Sequence, residues 1–135
     1  MNRKSLDRRL QELGIYNSYY YKKELKPLAE LMEDDEVLNC LFTGVHEANR
    51  KLVAVTDRRI IIIFAALAAS GSVVSFPRCD VTNFHYENKI FFPKAFISTE
   101  KTDYSFTGVQ SGQKALFDWA MNRPLPEFKK EENEE

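Results

Sequence analysis

Apolar positions follow two rhythms along this chain, and the change of rhythm divides it. Up to Met32 they recur at helical spacing. Leu6, Leu10 and Leu13 share one stripe, Ser5 is placed to cap its start, and Gly14 is placed to stop it. A second helix is predicted over Tyr19 to Met32. Pro27 must kink it or open its last turns, because proline brings no N–H to an interior turn. From Glu36 to Thr107 the period falls to two. Glu36 to Thr43 sets Leu38, Cys40 and Phe42 towards a core and Val37, Asn39, Leu41 and Thr43 away from it. Gly44 to Asn49 reads as a turn.

The clearest signal lies next. Leu52-Val53-Ala54-Val55 and Ile60-Ile61-Ile62-Ile63-Phe64 are β-branched runs of strand length, the second apolar enough to be fully buried. Between them stand Thr56 and Asp57, whose side chains bond their own backbone in turns. A hairpin over 50–56 and 59–65 follows. Ala66 to Gly71 is small-residue loop, Val73 to Phe76 a short strand ended by Pro77, and Val81 to Tyr86 another. Glu87-Asn88-Lys89 turns the chain into a strand over Ile90 to Ser98, where Pro93 implies an edge or a bulge. Lys101 to Phe106 closes the set. Seven short strands at this spacing predict a mainly β domain, a sandwich or barrel of antiparallel meanders.

A helix is predicted over Val109 to Met121. Val109, Gly112, Leu116, Trp119 and Ala120 form its core stripe, Gln110, Gln113, Lys114 and Asp118 face water, and Phe117 falls on the polar side. Asn122-Arg123-Pro124 ends it. From Pro126 the chain has too few apolar residues to fold. The expected organisation is a helical leader over 1–32, a β domain with its closing helix over 33–123, and a disordered acidic tail over 124–135.

Composition narrows the function classes. A chain of 135 residues, 44% hydrophobic and 29% charged, is long enough for one domain with its own core. The net charge of −1 argues against a nucleic-acid binder with a broad basic surface. The charge is uneven: +3 over residues 1–30, −5 over 31–49, +4 over 50–123 and −3 over 124–135. A mildly basic β domain therefore lies between acidic segments. Cys40 and Cys79 cannot build a disulfide framework and read as core cysteines. The start MNRKSLDRRL has no apolar secretory region, so a cytoplasmic setting is expected. The longest apolar run, Ile60 to Ala69, falls short of the roughly 20 residues a membrane span takes.

Seven strands followed by one helix, together with Leu52-Val53-Ala54-Val55-Thr56-Asp57-Arg58-Arg59-Ile60-Ile61-Ile62, resemble the bacterial pleckstrin-homology (PH) domains. Those typically carry an apolar strand, Thr-Asp-x-Arg and a second apolar strand. The acidic run Glu33-Asp34-Asp35-Glu36 after a helical leader and a closing helix bearing Trp119 are also similar to that family, and the resemblance spans about residues 20–122. It implies a bent seven-stranded antiparallel barrel capped at one end by the C-terminal helix, with Leu116 and Trp119 on the capping face. It also implies a non-enzymatic binding module with no cofactor. Lipid-binding relatives cradle an inositol phosphate with a lysine on the first strand and a basic-x-arginine on the second. Here the first strand has no lysine, and the following loop offers only His46, Arg50 and Lys51.

Thr56, Asp57 and Arg59 are therefore expected to hold the turn, Asp57 by accepting backbone N–H groups and Arg59 by bonding carbonyls or a carboxylate. The expected ligand is a protein partner or a second copy. The aromatic-basic cluster Tyr19, Tyr20, Tyr21, Lys22 and Lys23 of the leader is a candidate for that docking or self-association, and the alternative is peripheral binding to anionic lipid through Arg50, Lys51 and Arg58 together with the same cluster. Phe117 and Phe128 are further candidate contacts. The repeated spacing Cys40–His46 and Cys79–His85 suggests zinc, but residues six apart in a strand lie roughly 20 Å from each other, so no metal site is expected.

Overall fold

The computed structural model describes residues 1–64 and 73–125. The small-residue loop expected over Ala66 to Gly71, the end of the second hairpin strand, the tail from Pro126 and Phe128 lie outside the described residues. Three helices lead the chain: α1 (Arg3–Glu12), α2 (Tyr16–Tyr19) and α3 (Leu25–Leu31). Seven strands follow: β1 (Leu38–His46), β2 (Asn49–Thr56), β3 (Arg59–Ile63), β4 (Val73–Pro77), β5 (Val81–Tyr86), β6 (Lys94–Thr99) and β7 (Asp103–Thr107). Helix α4 (Lys114–Met121) closes the fold. The strands form one antiparallel sheet in the order β4-β3-β2-β1-β7-β6-β5. β1 and β7 share only the Val45–Thr107 pair, so the sheet bends there and its two halves face each other. Phe42 lies at the centre of the enclosed core, with the rings of Tyr86, Phe106 and Phe117 edge-on to it at 5.5–6.1 Å between centroids.

Over Leu38 to Gly44, Leu52 to Thr56 and Ile60 to Ile63, strands β1 to β3 are buried on both faces. The register pairs Leu41 with Ala54 and Ala54 with Ile61 on one face, and Phe42 with Val53 and Val53 with Ile62 on the other. The second face belongs to the enclosed core. The first is covered by the leader, where Leu6, Leu10, Tyr19, Leu25 and Leu28 pack with Leu38, Leu41, Leu52, Ala54, Ile61 and Ile63. The expectation that Leu41 faces away from a core is thus corrected, because the leader supplies a second core. Leu38 also changes sides. A bulge between Leu38 and Cys40 puts it under the leader, and the Leu38 carbonyl there accepts a 2.6 Å hydrogen bond from Arg9 Nε.

The leader differs from expectation in two ways. Asn2, not Ser5, caps α1, its Oδ1 accepting from the Ser5 N–H at 2.8 Å. The predicted helix over Tyr19 to Met32 is not continuous: α2 ends at Tyr19, residues 20–24 turn, and α3 starts at Leu25, with Pro27 in its first turn, where its missing N–H costs no helical bond. Gly14 follows α1 at φ +77°, the left-handed conformation that ends helices.

Two strand boundaries also move. β1 runs on through Gly44 to His46, and Glu47 and Ala48, both at positive φ, make the two-residue turn into β2. Gly44 is needed inside the strand because β7 crosses there: a Cβ would lie 2.8 Å from Phe106 Cβ and 2.9 Å from Val109 Cγ1. The strand expected over Ile90 to Ser98 begins only at Lys94, and Ile90, Phe91 and Phe92 stand in the β5–β6 loop. Among the described residues no helix is long and apolar enough to cross a membrane.

Two substitutions check this packing by urea denaturation. Leu10→Ala, which empties the leader–sheet core, is expected to cost about 2–5 kcal/mol. Gly44→Ala, which forces β1 and β7 apart, is expected to cost about 1–3 kcal/mol.

Candidate functional site

The Thr56–Arg59 turn is a knot of hydrogen bonds. Thr56 Oγ1 accepts from the backbone N–H groups of Arg58 (3.1 Å) and Arg59 (3.0 Å), and its hydroxyl donates to Glu36 Oε2 at 2.7 Å. Asp57 joins the residue before β1 instead of its own turn: its N–H donates to the Val37 carbonyl at 2.8 Å and its Oδ1 accepts from the Val37 N–H at 3.0 Å. Arg59 grips Glu36 with two bonds of 2.9 Å and donates a third, of 2.7 Å, to the Leu31 carbonyl at the end of the leader. Arg58 reaches Asp35 Oδ1 at 3.0 Å and the Asp35 carbonyl at 3.1 Å. Arg78, which the sequence pattern did not single out, is buried below the turn. It donates to the Asp57 carbonyl at 3.1 Å and to the Arg123 carbonyl after α4.

The Glu36 side chain has no solvent exposure. Burial pushes its pKa up, but the bonds from Arg59, Thr56 and the Glu33 N–H outweigh that and hold it below the usual carboxylate value.

The leader's aromatic-basic cluster divides. Tyr19, expected at a surface, is fully buried, with its hydroxyl donating to Gln110 Oε1 at 2.8 Å and Gln113 Oε1 also in contact. Burial, above all, raises the pKa of that phenol. Tyr20 and Tyr21 are exposed, Tyr20 stacked on Tyr16 and Tyr21 approached by Lys22 Nζ at 5.0 Å, and Lys23 faces solvent. Arg50 and Lys51 lie at the start of β2 and Arg58 beyond its end, roughly 20 Å along the strand, so the three do not form one basic patch. Cys40 is buried as expected of a core cysteine, whereas Cys79 is exposed. Among the described residues no group of three or more His, Cys, Asp or Glu could hold a metal ion.

Helix α4 and its N-cap reverse three assignments. Phe117, expected as a surface contact, is fully buried, and Trp119, expected in the capping core, is 42% exposed. The helix begins at Lys114 instead of Val109, because Gly108 and Gly112 take positive φ in the preceding segment. The buried stripe is therefore Phe117, Ala120 and Met121, and Leu116 is only partly covered. Gln113, expected in water, is buried, its Nε2 donating to the Leu41 carbonyl at 2.9 Å. Trp119 looks out over a cleft of about 660 Å³ between α1 and α4, lined by Arg9, Leu13, Val37, Leu116, Trp119 and Arg123 among others. The Arg123 guanidinium lies 4.7 Å from the indole centroid.

The electrostatics of the turn predict acid lability. The Glu36 pKa is lower folded than unfolded, so its contribution is complete above the unfolded value of about 4.5 and is lost as pH falls through the folded value. Urea denaturation is expected to show stability falling below about pH 4.5. Glu36→Gln should cost roughly 1.5–3 kcal/mol at neutral pH and make the remaining stability less sensitive to acid.

The family model described as a bacterial PH domain matches residues 31–122. Among solved structures, the Vps36 N-terminal PH domain is similar to this chain at 16% identity, over 69% of this chain and 81% of that one, with a TM-score of 0.49. A search of curated proteins returns no match. PH domains are commonly binding modules for proteins or lipids and are generally non-catalytic. With the match covering the whole sheet and α4, this chain belongs to the bacterial PH domain family.

Proposed function

We propose that this chain is a non-catalytic module that binds protein, either a partner or a second copy of itself, in the cleft between α1 and α4. The observation that carries the reading is Trp119. It is the only tryptophan in the chain, and the fold leaves it at the surface with Arg123 over its face and the exposed Val37 on the same cleft. Tryptophan and arginine are the residue types that most often dominate protein interfaces, as large flat anchors in partly apolar settings. Arg9 and Glu12 of α1 and Asp57 of the turn put both charge signs around an apolar floor of Leu13 and Leu116, which suits a protein segment better than a uniformly charged ligand. The turn has a supporting role in this reading: Arg78 ties it to Arg123, and Asp57 lines the cleft.

Paired affinity capture with the full chain and its Trp119→Ala variant, with sedimentation of each alone, tests the proposal. A partner or a self-associated species retained at high salt is expected for the wild type. It should weaken roughly thirtyfold in the variant, as loss of about 2 kcal/mol from a hot spot requires, with no change in melting. Equal retention by both proteins would overturn the proposal.

A further inference from the structure

The β5–β6 loop carries the largest exposed apolar group among the described residues. Ile90, Phe91 and Phe92 are consecutive in sequence, and each is exposed to solvent by 77–85%. Leaving three large side chains in water is costly, and their polar flanks, Asn88, Lys89 and Lys94, do not extend them into a flat apolar surface. The loop is held from both sides. The Pro93 carbonyl accepts from the N–H groups of Gly108 (3.0 Å) and Val109 (3.3 Å), and Asn88 Oδ1 accepts from the Gly112 N–H at 3.1 Å. Phe92 sits at φ +55°, a conformation that bulky residues avoid. The backbone thus keeps a strained residue at the tip, with all three side chains directed outward.

We propose that this loop is a membrane-inserting tip that docks the domain on a bilayer containing acidic phospholipid. A narrow apolar tip between lysines matches the depth profile of a membrane surface: apolar side chains enter the acyl boundary, aromatic rings settle at headgroup level, and lysines reach back to the phosphates. The charged groups of the segment are Glu87, Lys89 and Lys94. Glu87 is largely covered and lies 3.5 Å from Lys89 Nζ, so the outward charge is positive, complementary to an anionic surface. A stable protein interface covers roughly 800 Å² on each partner, more than three side chains on a narrow tip present. The tip adjoins the segment before α4, whereas the Trp119 cleft lies along the later part of that helix, so this proposal stands apart from the cleft reading.

Co-flotation of the full chain with vesicles of mixed neutral and acidic phospholipid tests it, using an Ile90→Ser, Phe91→Ser, Phe92→Ser triple variant. The wild type should float. The triple variant should bind at least about a hundredfold more weakly while keeping the wild-type melting temperature, since its side chains make almost no buried contacts. Lys89→Ala with Lys94→Ala should weaken binding roughly thirtyfold on acidic vesicles and have little effect on neutral ones. Trp119→Ala should leave vesicle binding unchanged. Failure of the wild type to float at low salt, or equal flotation of the triple variant, would overturn the proposal. So would loss of a sedimenting self-associated species, without loss of flotation, in the triple variant, since that would place the loop in a protein contact.

Discussion

Beyond the turn that joins β1 to β2, strands β1 to β3 have no solvent face. A sheet with one wet side alternates apolar and polar residues, but here Leu52 to Val55 and Ile60 to Ile63 are apolar at every position, and every one of them is buried. Such strands are stable only between two layers. The other half of the bent sheet with α4 forms one layer, and the leader forms the second. The family match begins at residue 31, so nearly all of the second layer comes from residues outside it. Without that layer Leu38, Leu41, Leu52, Ala54, Ile61 and Ile63 would form a contiguous exposed apolar patch, the kind of surface that marks an interface or an aggregation liability.

Fixing the leader on the sheet determines the rest of the layout. Arg59 ties the end of α3 to Glu36, Thr56 ties Glu36 to the turn, and Arg78 ties the turn to the residues after α4. These bonds close the corner beside the α1–α4 cleft. Tyr19 reaches from the leader to Gln110, and Tyr86 donates to the Gln110 carbonyl, steadying the segment from which α4 starts. The same segment holds the β5–β6 loop through Gly108, Val109 and Gly112. Opposite ends of one short helix thus serve two different surfaces, a cleft that exposes an indole and a loop that exposes Ile90, Phe91 and Phe92.

Much of this was legible in the residues. The hairpin around Thr56 and Asp57 was visible because β-branched runs and a turn chemistry coincide, and unbroken Ile60 to Ile63 already implied burial on both faces. The order of seven strands and a helix followed from local patterns. What covers β1 was not visible, since an amphipathic stripe shows that a helix packs without showing on what. The phase of α4 was lost because Val109 to Gly112 continue the helical stripe in sequence, while two glycines at positive φ break it in space. An eight-residue helix leaves no slack, so a start set too early exchanged the places of Phe117 and Trp119. Ile90-Phe91-Phe92 resembled a strand because strand propensity describes residues that suit half-buried surfaces, and it says nothing of whether a surface is there. Pro93 was the available warning. Of three adjacent tyrosines at least one had to be exposed, but only tertiary contacts select Tyr19 for the core.

The claim on which everything else rests is that the leader and β1 to β3 are one cooperative unit. Native-state amide hydrogen exchange of the full chain measures this directly. The account predicts that amides in the middle of α1, near Leu10, open with the same free energy as those of Val53 and Ile61, and that all three respond equally to small amounts of urea. Leader amides that exchange orders of magnitude faster while β2 and β3 stay protected would contradict it.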